Sequence, residues 1–283
     1  MAPYLTICAV GSNAGYGGDF IARMQAWADN LYKLARQYAL DAELVVVEWN
    51  PPEDRFSIYD AIEWHSTIPT RIITVPRKYH ESLANPHGEK FFEYAAKNVG
   101  IRRAAGRFIL STNPDNIYSP SLIHRLAKHD LDEGCFYRTN RYDVRDGKVI
   151  TVNFAHGSVI DWELQSNPNT AVPDSDGMVD YPGLGKLPIL HFNAAGDFIL
   201  MARQAWEKIK GHPEVPYSLT VDGQTVYLAA KAGLKQVILP WMMFHTDHGR
   251  TPKYYEPWSD LTPHGKNNTT WGFEGVDFDE RRI

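Results

Sequence analysis

The sequence predicts an α/β fold: a mostly parallel central sheet flanked by helices, with an irregular C-terminal tail. Short apolar runs at Tyr4–Val10, Glu43–Trp49, Arg71–Val75 and Arg107–Leu110 have the length and composition of buried strands. Stretches with helical periodicity separate several of them, and strands joined through helices pair in parallel by right-handed crossovers. The loops after the first, second and fourth runs, at Gly11, Asn50 and Asn113, should therefore share one cleft at the carboxyl ends of the strands.

The first strand closes on Gly11-Ser-Asn-Ala-Gly-Tyr-Gly-Gly18, a glycine-rich loop that can bring backbone amides close to a ligand. Phe20, Met24, Trp27, Leu31, Leu34 and Tyr38 then recur at alternating spacings of four and three, the stripe of an amphipathic helix. Asn50-Pro-Pro52 ends the second strand, because proline cannot continue a central ladder. Glu89–Ala104 reads as the helix before the fourth strand. Beyond Ser119 the pattern changes to a short helix near Pro120–Lys128 and a hairpin, Phe136–Tyr142 with Lys148–Asn153, turning at Arg145-Asp-Gly147. Residues 156–190, rich in Pro, Gly, Asn and Asp, are expected to form an irregular insertion serving as a lid. Asp197–Ala202 and Lys235–Leu239 read as strands, and Arg203–Lys210 and Thr220–Ala232 as helices. The tail from Trp241, with His245, His248, Tyr254, Tyr255, Trp258, Trp271 and Phe273, lacks periodicity and is expected to wrap the core.

The 283 residues suit one large α/β domain. With 29 basic and 34 acidic residues the net charge is -5, so no electrostatic footprint favours nucleic acid or an anionic membrane, and a small-molecule partner is expected. Cys8 and Cys135 offer neither a disulfide framework nor paired-thiol metal spacing. The N-terminus lacks a basic leader, and no segment approaches the ~20 apolar residues of a transmembrane helix. A cytoplasmic protein with no transmembrane segment is the expectation.

Ser111-Thr-Asn-Pro-Asp-Asn-Ile-Tyr-Ser119 follows the fourth apolar run directly. A buried strand stopping at Asn113-Pro-Asp115 presents one amide and one carboxylate on a rigid edge, where a divalent cation and a phosphate can meet. An ordinary strand-ending turn uses the same letters. The run Glu93-Tyr-Ala-Ala-Lys-Asn98-Val-Gly100-Ile-Arg102-Arg-Ala104-Ala-Gly106-Arg-Phe-Ile-Leu-Ser-Thr-Asn113-Pro-Asp115-Asn116 resembles the signature of GT-A fold glycosyltransferases of the family 2 type. In that family an Asn-x-Gly, an Ala-x-Gly and an apolar strand lead into an Asp-x-Asp motif. The order of elements is similar over residues 4–240, with Asn113 standing where the first aspartate is usual.

The resemblance implies a GT-A (Rossmann-like) domain over 1–240, with a nucleotide-binding half at 1–119 and an acceptor half at 120–240, followed by a tail at 241–283. It implies transfer of a sugar from a UDP- or GDP-sugar donor to a saccharide or other hydroxyl acceptor, with inversion and with Mn2+ or Mg2+. Asp115 then holds the metal and Asn113 contacts sugar or ribose. Losing one carboxylate weakens a site for hard cations without abolishing it. Asp222 falls where the family places its catalytic base, leaving Asp197 to donor or acceptor contacts; a helix cap or a surface carboxylate is the other reading for each. In His245-Thr-Asp247-His248-Gly either histidine can complete the metal shell, or both lie on a solvated loop. Glu48 and Asn50, at the end of the second strand, and Ser12 and Asn13, after the first, lie where relatives recognise base or ribose. Lys97, Asn98 and Arg102 precede the motif, where a basic residue can contact pyrophosphate, although helix-surface solvation explains Lys97 and Arg102 equally.

Asp174-Ser-Asp176 has no apolar strand before it to fix its geometry, and Gly17-Gly-Asp-Phe20 reads as a helix start. A nucleotidyltransferase is the nearest enzymatic alternative, but its usual basic glycine-rich loop is missing, since Gly11–Gly18 contains neither lysine nor arginine. A non-catalytic sugar- or nucleotide-binding relic of the same fold is the alternative from another class.

Overall fold

A computed structural model describes residues 2–153, 175–181, 185–188, 190–192, 194–216, 221–248 and 266–283. Strands β1 (Leu5–Gly11), β2 (Ala42–Trp49), β3 (Thr70–Val75) and β4 (Phe108–Thr112) alternate with helices α1 (Phe20–Tyr38), α2 (Ile58–Ala61), α3 (Arg77–Glu81) and α4 (Glu93–Arg103). Then come β5 (Asn116–Tyr118), α5 (Pro120–Leu126), β6 (Cys135–Arg145), β7 (Lys148–Asn153), β8 (Met178–Tyr181), β9 (Gly185–Pro188) and β10 (Phe198–Ala202). Helices α6 (Arg203–Ile209) and α7 (Val221–Lys231) precede β11 (Lys235–Thr246) and β12 (Asp279–Arg282).

The main sheet has the order β12-β3-β2-β1-β4-β10-β6-β11-β5, with β7 paired to β6. Its β3-β2-β1-β4 portion is parallel, as the strand–helix alternation predicts. Beyond Asp115 that alternation lapses and the pairing becomes mixed: β10 runs antiparallel to both β4 and β6, while β11 is parallel to β6. The architecture is mixed α/β, a central sheet flanked by helices. Every residue of β1 and β2 is buried. Along β2 the side chains alternate between two cores, Leu44 and Val46 joining the α1 stripe while Val45 and Val47 pack with Val99 of α4. Gly106 permits the tight approach at the start of β4, where a Cβ would lie 2.5 Å from the Thr6 backbone nitrogen.

Local chemistry explains the boundaries that depart from sequence expectation. Helix α4 starts at Glu93 because the Asn85 side chain bonds both backbone groups of Glu89 and holds that residue in a loop. The hairpin turns at Asp146 and Gly147, both with positive φ, as an Asp-Gly turn requires. Residues 156–190 are not irregular throughout, since β8 and β9 pair as a two-stranded antiparallel sheet. The rest of the lid expectation, residues 156–174 above all, lies outside the described residues, as do Tyr254, Tyr255 and Trp258. Strand β11 does not end at Leu239: a register shift between Leu239 and Met242 takes up Pro240, and pairing with β6 resumes through Thr246. His245 is consequently a strand residue. The C-terminal segment buries Trp271 and ends as β12, which pairs antiparallel with β3. Among the described residues no helix is long and apolar enough to cross a membrane.

Candidate functional site

The site is assembled at the carboxyl end of β4. The Thr112 hydroxyl donates to the Asp197 carbonyl at 2.8 Å, tying β4 to the 3-10 turn Ala195–Asp197 that leads into β10. After the Asn113-Pro-Asp115 turn, β5 pairs with β11 so that Asn116 lies opposite His245, and the Thr246 amide donates to the Asp115 carbonyl at 3.2 Å. These backbone bonds point the Asp115 carboxylate at two imidazoles. Its Oδ2 lies 3.6 Å from His245 Nε2 and 3.2 Å from His248 Nε2. One ligand atom from each of the three residues lies within 4.8 Å of the others. Parallel pairing sets His245 beside Asp143 of β6, and His245 Nδ1 meets Asp143 Oδ1 at 2.9 Å.

Three carboxylates converge here with a guanidinium between two of them. Asp197 Oδ1 accepts from Asn113 Nδ2 at 2.9 Å and from Asn116 Nδ2 at 3.3 Å, and Asp197 Oδ2 pairs with Arg141. The same guanidinium meets Asp143 through Nε at 3.0 Å and Nη2 at 3.2 Å. Burial pushes the Asp197 carboxyl up, but Arg141 and His245 outweigh it and hold it below the ordinary range. Burial acts the same way on Asp115, where the His245 and His248 rings facing it outweigh burial and hold its carboxyl well below the ordinary range. For His245 burial favours the neutral ring, and the Asp115 carboxylate reverses that and raises its pKa.

The turn Ala195–Asp197 joins further residues to this group. Lys97 is fully buried, donating to the Gly196 carbonyl at 2.8 Å and to Glu93 at 2.9 Å. Asp222, in the first turn of α7, accepts from the Gly196 amide at 2.8 Å through Oδ2 and from the Gly223 amide at 2.9 Å through Oδ1. Burial raises its carboxyl above the usual range despite those bonds. Asp197 and Asp222 thus flank one turn in opposite states, the first clamped by a cation and the second made more basic.

The ends of β1 and β2 lie alongside. Ser12 Oγ reaches the Asn50 carbonyl at 3.5 Å, and Asn13 Nδ2 donates to the Phe56 carbonyl at 2.9 Å. Glu48 is fully buried; its Oε1 accepts from the Ile58 amide at 2.8 Å, its Oε2 has no hydrogen-bond partner among the described residues, and burial raises its pKa. The glycine-rich loop comes down on the histidines, with the Tyr16 ring edge-on to His248 at 5.0 Å. Arg23 holds that loop by donating to the Tyr16 and Gly17 carbonyls.

Two expected residues are placed elsewhere. Arg102 sits in the last turn of α4, before β4 begins, stacked on Trp271 and paired with Glu274. Asn98 ties α4 to the segment after α6: its Nδ2 donates to the His212 carbonyl at 2.8 Å and to Glu214 at 2.9 Å, and its Oδ1 accepts from the His212 amide. Asp176 is exposed in the turn before β8, and Asp174 lies outside the described residues. The reading of residues missed Arg141, Asp143, Asn116 and Tyr16. Arg141 and Asp143 stand two apart in β6, hence on one face, and that spacing of opposite charges was the available signal.

His212 gives a pH prediction. Its ring is fully buried between Ser111 Oγ and Thr225 Oγ1, and burial depresses its pKa well below 6.5. Below the unfolded pKa of about 6.5 the unfolded chain takes up a proton that the folded chain refuses, so this group costs stability as pH falls, by about 1.4 kcal/mol per pH unit. Urea midpoints at pH 7.5 and 5.5 should separate more for the wild type than for His212→Gln. Equal separations would contradict the assignment.

The donor set fits a divalent cation. Asp115 Oδ1 is buried without a hydrogen-bond partner among the described residues, and its carboxylate and the two imidazoles form a group that can hold a metal ion. The sequence matches no known protein-family profile and no curated protein. Among solved structures it resembles residues 1–349 of TarS from S. aureus, with 12% identity, a TM-score of 0.51, and coverage of 86% of this chain and 60% of that one. The same TarS fragment in complex with UDP-GlcNAc gives a TM-score of 0.49 at 12% identity, covering 90% of this chain and 60% of the other. The catalytic domain of Drosophila β1,4-galactosyltransferase 7 in complex with xylobiose gives 0.47 at 10% identity, covering 95% of this chain and 82% of the other. The chain therefore spans less than two thirds of the TarS fragment it resembles. At such identity the likeness to TarS concerns the fold alone: the mixed α/β sheet flanked by helices is the one GT-A glycosyltransferases have.

Proposed function

We propose that this protein is a metal-dependent glycosyltransferase that moves a sugar from a UDP- or GDP-sugar to a hydroxyl acceptor with inversion. The observation that carries the reading is the meeting of Asp115, His245 and His248 at the carboxyl end of β4, with a buried, unpartnered carboxylate oxygen and Asp197 one turn away. Both histidines join Asp115, which offsets the carboxylate lost at Asn113. Two imidazoles and one carboxylate suit Mn2+ better than Mg2+, which prefers an all-oxygen shell.

When bound, the cation stabilises the charge left on the diphosphate as the bond from its oxygen to the anomeric carbon breaks. Asp222 accepts the acceptor hydroxyl's proton as that oxygen attacks, a role suited to a carboxyl made more basic by burial. Asp197, fixed by Asn113, Asn116 and Arg141, orients sugar hydroxyls with its remaining lone pairs. Ser12, Asn13 and Asn50 receive base and ribose, whereas Glu48, fully buried, holds the start of α2 beside them through the Ile58 amide. Lys97 has no exposed surface, so it acts by holding the Gly196 turn on which Asp222 rests.

Calorimetry with UDP and GDP, with and without Mn2+, tests the reading. Binding of one nucleotide that strengthens at least tenfold with Mn2+ is the expected result. Metal-indifferent binding would instead favour a non-catalytic nucleotide-binding protein, and no binding in either condition would refute both.

A further inference from the structure

We propose that Asp143 is a positioning residue for the metal site, holding His245 with Nε2 turned to the cation, and that Arg141 links it to Asp197. The inference rests on the metal reading above and adds an outer layer to it. Asp143 and His245 are register partners on adjacent parallel strands, so their side chains share a face, and the contact between Asp143 Oδ1 and His245 Nδ1 is 2.9 Å. Both side chains are buried, with relative exposures of 6% and 7%, so water does not compete for the bond. A neutral imidazole, the form that binds a metal, that donates from Nδ1 to a carboxylate has its lone pair at Nε2, and Nε2 is the atom facing Asp115. The carboxylate is itself held, because Arg141 donates to Asp143 from one Nη at 3.2 Å and to Asp197 from the other, with its Nε within ion-pair distance of Asp143. The chain Asp197–Arg141–Asp143–His245 thereby ties the carboxylate assigned to sugar hydroxyls to the metal ligand.

Mn2+ alone, titrated into the full chain by calorimetry, is the test. Wild type should bind, Asp115→Asn should not, and Asp143→Asn should bind 10- to 100-fold more weakly, the usual loss on removing an outer-layer partner. Asp143→Glu should recover part of that loss. Equal affinity of Asp143→Asn and wild type would overturn the positioning role while leaving the metal reading intact, whereas no binding by wild type would overturn both. A measurement on wild type alone covers the case in which Asp143→Asn fails to fold. With Zn2+ bound, nitrogen-15 spectra should find the His245 proton on Nδ1, and a proton on Nε2 would overturn the proposal.

Discussion

Asp115→Ala is expected to abolish Mn2+ binding and to lower sugar transfer on the order of 10^3-fold, while the metal-free protein still folds. The size follows from the charge stabilisation a cation supplies, several kcal/mol at about 1.4 kcal/mol per decade of rate. Among the described residues Asp115 is the single carboxylate in the group that can hold a metal, so Asp115→Ala leaves that group with its imidazoles alone. Survival of the fold follows from the backbone. Strands β5 and β11 remain joined by their ladder, and the Thr246 amide bonds the Asp115 carbonyl, which alanine keeps. Transfer rates with and without Mn2+, beside a thermal melt, separate the two effects. Full metal-dependent activity in a folded Asp115→Ala protein would remove Asp115 from the site.

Asp222→Asn is expected to lower kcat by about 10²- to 10⁴-fold, the range that a positioned general base contributes, with little change in KM or melting temperature. Asparagine matches the shape of the side chain and retains one oxygen to accept from Gly196 or Gly223. It cannot take a proton. Burial already disfavours the charged form of Asp222, so a neutral replacement relieves a cost that offsets the one hydrogen bond lost where the asparagine NH2 cannot accept. The same substitution at Asp197 should act differently, because Arg141, Asn113 and Asn116 all donate to that carboxylate and would be left short of a partner. Unchanged kcat in Asp222→Asn would move the base elsewhere.

The N-terminal half of the fold was legible because its signals are local. The stripe from Phe20 to Tyr38 is the buried face of α1, and the runs ending at Trp49 and Val75 end as strands at those residues. Strand β5, at Asn116–Tyr118, is too short for a periodicity to declare itself, yet it turns Asp115 toward β11. Strand β11 runs past the expected end at Leu239 through a bulge answered by β6, which is a non-local event. For the same reason Arg141 and Asp143 escaped notice: their placement comes from the register of β6 against β11 and β10, which no window of sequence contains. Asp115, His245 and His248 were legible as candidates through their resemblance to a motif. That both histidines meet the carboxylate follows only from the extended β11, which carries His245 past the end of β4 and sets His248 just beyond it.

The central claim is that a cation sits between Asp115 and the two histidines. Anomalous diffraction from crystals grown with Mn2+ and UDP tests it most directly. A manganese peak at about 2.0–2.2 Å from an Asp115 oxygen, His245 Nε2 and a His248 ring nitrogen, with a diphosphate oxygen in the same shell, is the predicted result. Nucleotide bound without a peak there, or a peak among other residues, would contradict it.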